Sequence, residues 1–258
     1  MRLNKFLAHF AGLSRRQADD TIAAGQVSVN DQPVRVGQQI SETDVIKLDE
    51  KIVKPLKSRT IMLNKPVGYV CSRRAQGNAK TVYDILPREF ASLKTVGRLD
   101  KNSSGLILLT NDGDSAQRLT HPKFAKTKIY LVRLDKNLAP LHQQMISDFG
   151  INLPDGNSKL TLESLDNSAG EVASDGAAPK NVFSARKKFL GVDQTTVPVR
   201  PNTDSRKSWR VIMHEGRNRQ IRRTFAALGY RVVKLHRTDF DSYHLENLKP
   251  GEWREITD

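Results

Sequence analysis

The stretch GRLDKNSSGLILLTNDG at residues 97–113 decides how this chain is read. Val96 closes a strand just ahead of it. Asp100 then falls in a loop bounded by Gly97 and Gly105, residues that let backbone come close to a ligand. The apolar run at 106–109 has the composition of a buried strand, and Asn111-Asp112-Gly113 reads as a turn. A short helix is expected over 115–119. An aspartate in such a loop has two readings. The ordinary one is a turn residue that caps its own backbone. The other is a carboxylate held out for chemistry. The loop alone favours the first.

A second element changes that balance. Residues 215–223 read EGRNRQIRR, and the helix expected over 218–228 is stopped by Gly229. Arg219, Arg222 and Arg223 fall at i, i+3 and i+4, so a helix through them gathers three guanidinium groups on one face. Ile221, Phe225 and Leu228 supply the apolar face that anchors it. A solvated basic face is the plain alternative. Arginine forks at a helix start suit phosphate. An arginine from here can also pair with a carboxylate and favour the charged form that a nucleophile or base requires.

Around these two elements the chain alternates between strands and loops. KIYLVRL at 128–134 alternates as a strand, with Tyr130 opposite in sense to Ile129 and Leu131. A tyrosine there can stack on a base, although a core tyrosine is the commoner outcome of the pattern. Upstream, a strand at 61–63 runs into the loop NKPVG, and a second short strand is expected at 69–71. Downstream, GINLPDG at 150–156 reads as strand and turn, and strands are expected at 209–213, 231–235 and 253–256. Residues 166–208 are expected to hold an extended insertion, rich in Ser, Ala, Asp, Gly, Lys and Pro.

Residues 1–50 read as a unit of their own. Leu3, Phe6, Leu7 and Phe10 recur at helical spacing, and Gly12 ends that helix. Ser14 and Gln17 have the spacing of a capping box for a second helix, which stops near Gly25. Short strands follow at Val27 and Val29, at Val34 and Val36 after a turn at 30–33, and at 45–48. Arg15 and Arg16 sit on the polar side of the second helix. The basic, aperiodic KIVKPLKSR at 51–59 is expected to link this unit to a larger one at 60–258.

Composition narrows the class of function. The 258 residues carry 42 Lys+Arg against 28 Asp+Glu, a formal charge of +14, which favours a polyanionic partner. Cys71 is the single cysteine, so neither an internal disulfide nor a cysteine-built zinc site is available. No apolar run approaches the roughly 18 residues of a membrane span, and the N-terminus lacks the pattern of a signal peptide. Cytoplasmic placement is expected. No phosphate-binding glycine loop, dinucleotide fingerprint or H-E-x-x-H is present, so no nucleotide cofactor or metal is expected.

Together these segments resemble the RsuA/RluB/RluE/RluF family of ribosomal RNA pseudouridine synthases. The resemblance rests on residues 97–113, on Lys128-Ile129-Tyr130, on 215–223 and on LNKPVG at 63–68. RLNKFLA, GLSRRQAD and GQVSVND in the first unit resemble the alpha-L RNA-binding domain first named for a small-subunit ribosomal protein. The resemblance implies an α+β fold with a mixed, mostly antiparallel sheet. It implies that Asp100 is the essential catalytic aspartate, that Tyr130 packs on the target uracil, and that Arg222 pairs with Asp100. Ile221 is then the neighbouring packing residue, and Arg98 takes part in flipping the nucleotide out. Arg15, Arg16, Arg217, Arg219 and Arg223 are expected to meet RNA. A monomer acting on ribosomal RNA, free or in an assembling subunit, is expected, with the large subunit favoured over the small. Two rivals stand beside this: a noncatalytic RNA-binding or assembly protein, and a synthase acting on transfer RNA.

Overall fold

The computed structural model describes residues 1–54, 57–73, 77–165 and 206–256. Nearly all of the expected insertion lies outside the described residues.

The N-terminal unit has its own core. Helices α1 (Leu3–Phe10) and α2 (Arg15–Ala23) lie with strands β1 (Val27–Val29), β2 (Gln32–Pro33), β3 (Ile46–Leu48) and β4 (Lys51–Ile52). Leu3, Leu7, Ala18, Ile22, Val27, Val29, Ile40 and Ile46 form one buried cluster between them. The capping box is present: Gln17 N donates to Ser14 Oγ at 3.1 Å, and Ser14 N donates to Gln17 Oε1 at 2.9 Å. The return strand differs from expectation. Asn30 and Asp31 both take positive φ (53° and 62°), so the chain reverses in two residues and pairing begins at Gln32 rather than Val34. Val36 is left exposed. Asp49 and Glu50 make a second such reversal, which brings Lys51 back against Leu48. The segment expected as linker therefore begins as a strand, and Val53 still packs on the N-terminal core.

The larger unit is built on one mixed sheet. Its strands are β5 (Thr60–Lys65), β6 (Lys94–Val96), β7 (Ser104–Thr110), β8 (Lys128–Leu134), β11 (Thr161–Ser164), β12 (Ser208–Met213), β13 (Val232–Phe240), β14 (Tyr243–His244) and β15 (Trp253–Ile256). The order is β11-β12-β8-β13-β7-β5-β15, with β6 paired to β7 and β14 to β13. Only the β13–β7 pair is parallel among the described strands. The unbroken apolar run of β7 has a simple cause. Ile107 and Leu109 enter one core while Leu106 and Leu108 enter another, so both faces of the strand are covered. Helices α3 (Gly113–Thr120), α4 (Pro140–Gln144) and α5 (Gln220–Ala227) and a small hairpin of β9 (Ile151–Leu153) and β10 (Gly156–Ser158) complete the unit.

The strand expected at 69–71 reduces to a single bridge between Val70 and Thr81. Across the boundary between the units, Lys5 Nζ meets Asp114 Oδ2 at 2.6 Å and Lys94 Nζ donates to the Leu13 carbonyl at 3.0 Å. No helix among the described residues is long and apolar enough to cross a membrane.

Candidate active site

The site begins at the turn between β6 and β7. Gly97 takes φ +70° and starts the reversal, and Ser103 N closes it by donating to the Asp100 carbonyl at 3.0 Å. Leu99 is buried, with its N–H on Cys71 Sγ at 3.4 Å. These two anchors hold Asp100 between them with its carboxylate partly exposed, 31% by side chain. It opens into a cleft of about 450 Å³ lined also by Arg98, Lys128, Tyr130, Arg219, Ile221 and Arg237. Arg98 is exposed at its edge.

Lys65 supports the turn from beneath. It ends β5 with no exposure, and its ammonium donates to the carbonyls of Ser103 (2.6 Å) and Pro66 (2.9 Å). Burial pulls its pKa down to about 8, against the opposing pull of Cys71 and Asp100. A buried lysine bonded only to carbonyls is costly. Its position beneath the Asp100 turn makes it part of the site's positive field.

The arginine segment does not form the expected helical face. Arg219 takes a left-handed conformation (φ 48°) ahead of α5, so it lies outside the helix that carries Arg222 and Arg223. The three side chains consequently separate. Arg219 Nη1 reaches Asp100 Oδ2 at 3.7 Å. Arg222, expected to pair with Asp100, instead donates to the carbonyls of Asn102 and Val232, both at 2.8 Å, and to Ser103 Oγ at 3.3 Å. Burial holds the Arg222 pKa below the usual arginine value; Arg219 adds to that and the Asp100 charge opposes it. Arg223 makes a two-pronged pair with Asp155 at 2.7 and 3.0 Å. Arg217 donates to the carbonyls of Asp155, Gly156 and Asn157 and to the Asp155 and Glu215 carboxylates. Two arginines expected to meet RNA are thus engaged in clamping the β9–β10 hairpin. Arg15 and Arg16 are exposed on α2.

Tyr130 is buried, with 8% exposure, at the level where β8 meets Arg237 of β13. Ile221, 4% exposed, lines the cleft from α5. Sequence reasoning missed Lys65 and Arg237. Lys65 sits within LNKPVG, which reads as a strand running into a loop, and nothing local shows that its side chain is buried. Arg237 lies beyond the strand expected at 231–235, which in fact runs on to Phe240, and nothing local separates it from a solvated arginine.

A mixed sheet thus carries a cleft rich in arginine and lysine, with a carboxylate set on a glycine turn and a small helical unit ahead of it in the chain. Residues 59–227 match the model of the RNA pseudouridylate synthase family, and residues 1–46 match the S4 domain. The chain belongs to the RNA pseudouridylate synthase family and carries an N-terminal S4 domain. It is 32% identical over 260 residues to the ribosomal large subunit pseudouridine synthase B of Bacillus subtilis, covering 99% of this chain and 92% of that one. It is equally 32% identical over 260 residues to the ribosomal small subunit pseudouridine synthase A of Pseudomonas aeruginosa, covering 99% and 96%. A crystal structure of a pseudouridylate synthase aligns at TM-score 0.61 and 30% identity, over all of this chain and 96% of that one.

Proposed function

We propose that this synthase isomerises a uridine of ribosomal RNA in the cytoplasm, acting as a monomer, with Asp100 as the catalytic carboxylate and the large subunit as its substrate. The observation that carries the reading is that Asp100 and Tyr130 line one cleft together with the cationic side chains of Arg98, Lys126, Lys128, Arg219 and Arg237. Relatives named for the large and the small subunit match equally well. The preference for the large subunit rests on its commoner appearance within the resembled family.

The reaction breaks the bond between ribose C1′ and uracil N1, turns the ring, and joins C1′ to C5. The C5 proton is lost and N1 gains one, so no oxidant or reductant is consumed. The base must leave its stack to reach the cleft. In this reading Arg98, exposed on the Asp100 turn, fills the gap the base leaves, and Tyr130 and Ile221 receive the ring. Asp100 meets the sugar or the ring as nucleophile or base. Arg219 contacts its carboxylate directly, while Arg222 and Lys65 act on it through the carbonyls of Asn102 and Ser103. The phosphates flanking the flipped nucleotide meet Lys126 and Lys128 at the cleft wall.

Mapping of pseudouridine across ribosomal and transfer RNA, in cells with and without the protein, tests the assignment. One large-subunit position should lose its pseudouridine. Loss confined to the small subunit would overturn the subunit preference, and loss confined to transfer RNA would overturn the ribosomal reading.

A further inference from the structure

Arg237 is a charged side chain in an unexpected place. It is 2% exposed on β13, and no carboxylate lies within ion-pair distance of it among the described residues. Its Nε donates to the Leu106 carbonyl at 2.7 Å. Its Nη1 faces the Tyr130 hydroxyl at 3.5 Å, and its Nη2 is buried without a partner. The guanidinium lies 4.9 Å from the ring centre of Phe240 and 6.0 Å from that of Tyr130. All three side chains line the cleft.

The backbone is arranged to put it there. Arg237 stands opposite Tyr130 on β8 and opposite Gly105 on β7, so three strands bring these residues to one level of the sheet. A Cβ on Gly105 would lie 2.2 Å from the Arg237 carbonyl oxygen, so only glycine lets β13 sit this close. The register then slips between Arg237 and Asp239, a bulge that turns Phe240 to the same side as Arg237. A side chain needed for packing alone would be apolar here, because an unbalanced buried charge is costly. Its positive field is felt by its neighbours: after burial, it is the next cause holding the Lys128 pKa down.

We propose that Arg237 is a positioning residue for Tyr130 and places a fixed positive charge beneath the reacting base. When the C1′–N1 bond breaks, its electron pair stays on the ring, and the detached uracil becomes anionic. Arg237 holds the Tyr130 ring against that base and offsets the charge from below, acting without a carboxylate of its own because the counter-charge arrives with the reaction. Preorganised charge of this kind acts on the transition state more than on binding. This rests on the assignment of the cleft as the uridine site.

The test compares full-length R237K, which keeps the charge, with R237Q, which keeps a donor but not the charge. The probe is unmodified 16S and 23S transcript, with pseudouridine quantified by mass spectrometry and folding followed by circular dichroism. R237Q should lose about 100-fold in kcat with KM changed by less than about threefold, and R237K should stay within about tenfold of wild type. Combined with Y130F, the R237Q loss should shrink, because the two act as a unit. Equal turnover of R237Q and R237K would overturn the proposal. Should R237Q fail to fold, R237K decides: folded and within tenfold supports the proposal, folded and as inactive as D100N overturns it. D100N run alongside separates the two ideas, since full activity in D100N refutes the cleft assignment itself.

Discussion

Replacing Gly105 by alanine isolates the close approach of β13 to β7. Gly105 has φ +106°, a conformation that costs a non-glycine residue about 1–3 kcal/mol. The new Cβ would also lie 2.2, 2.6 and 2.9 Å from the carbonyl oxygen, nitrogen and carbonyl carbon of Arg237. These are backbone atoms in a strand paired on both sides, so they cannot yield as a flexible side chain would. Overpacking of this sort adds about 1–3 kcal/mol. A matched control removes the conformational part. Gly251 has a similar φ of +87° with nothing within 4 Å of a built Cβ, so G251A carries the strain without the collision. G105A should therefore lose about 2 kcal/mol more than G251A. For a unit of this size that is a further fall of roughly 4–8 °C in Tm. Differential scanning calorimetry of both variants measures it, and turnover of G105A should fall as well, since Arg237 is displaced. Equal melting of the two would show that β13 does not press on Gly105, and the argument built on that contact would fail.

D100N should abolish pseudouridine formation while RNA affinity stays within a few-fold, about 1 kcal/mol or less, because binding rests on cations the change leaves in place; turnover at a comparable rate would remove Asp100 from the chemistry. D155A frees Arg223 from a partly exposed pair, while Arg217 keeps its bonds to the hairpin carbonyls and to Glu215, so stability should change little while RNA affinity rises and its salt dependence steepens. A filter-binding titration across salt that showed a shallower slope would contradict this. Lys65 gives a pH signature: with its pKa lowered from 10.5 to about 8, the unfolded chain binds more protons between those values, so stability rises with pH across that window. Urea unfolding of wild type against K65M should show this rise only in the wild type.

The fold was legible where patterns were local. The Ser14–Gln17 box, the run of β7 and the alternation of β8 need only neighbours in sequence, and each formed within a residue or two of expectation. Turn chemistry was less visible. Asn30-Asp31 and Asp49-Glu50 reverse the chain in two residues, and neither pair contains the glycine that usually marks such turns. In the site, Asp100 and Tyr130 line one cleft. The shared face of Arg219, Arg222 and Arg223 did not form because helical spacing was carried back past Gln220, where the helix begins. A left-handed Arg219 breaks the shared face. Arg237 was hidden for a different reason: its burial is set by Gly105 and Tyr130, which arrive from strands distant in sequence.

The place of β13 in the sheet governs when the enzyme becomes an enzyme. Among the described strands β13 alone joins β8 to β7, so Asp100 from one side of the sheet and Tyr130 from the other are held together by residues 232–240. During synthesis those residues leave the ribosome after both of the strands they join. Until then the two halves of the cleft have no common backbone frame, while the N-terminal unit has long since emerged with its own core. The cleft is therefore set only once β13 has emerged, and a product lacking β13 would carry Asp100 and Tyr130 without the strand that holds one against the other.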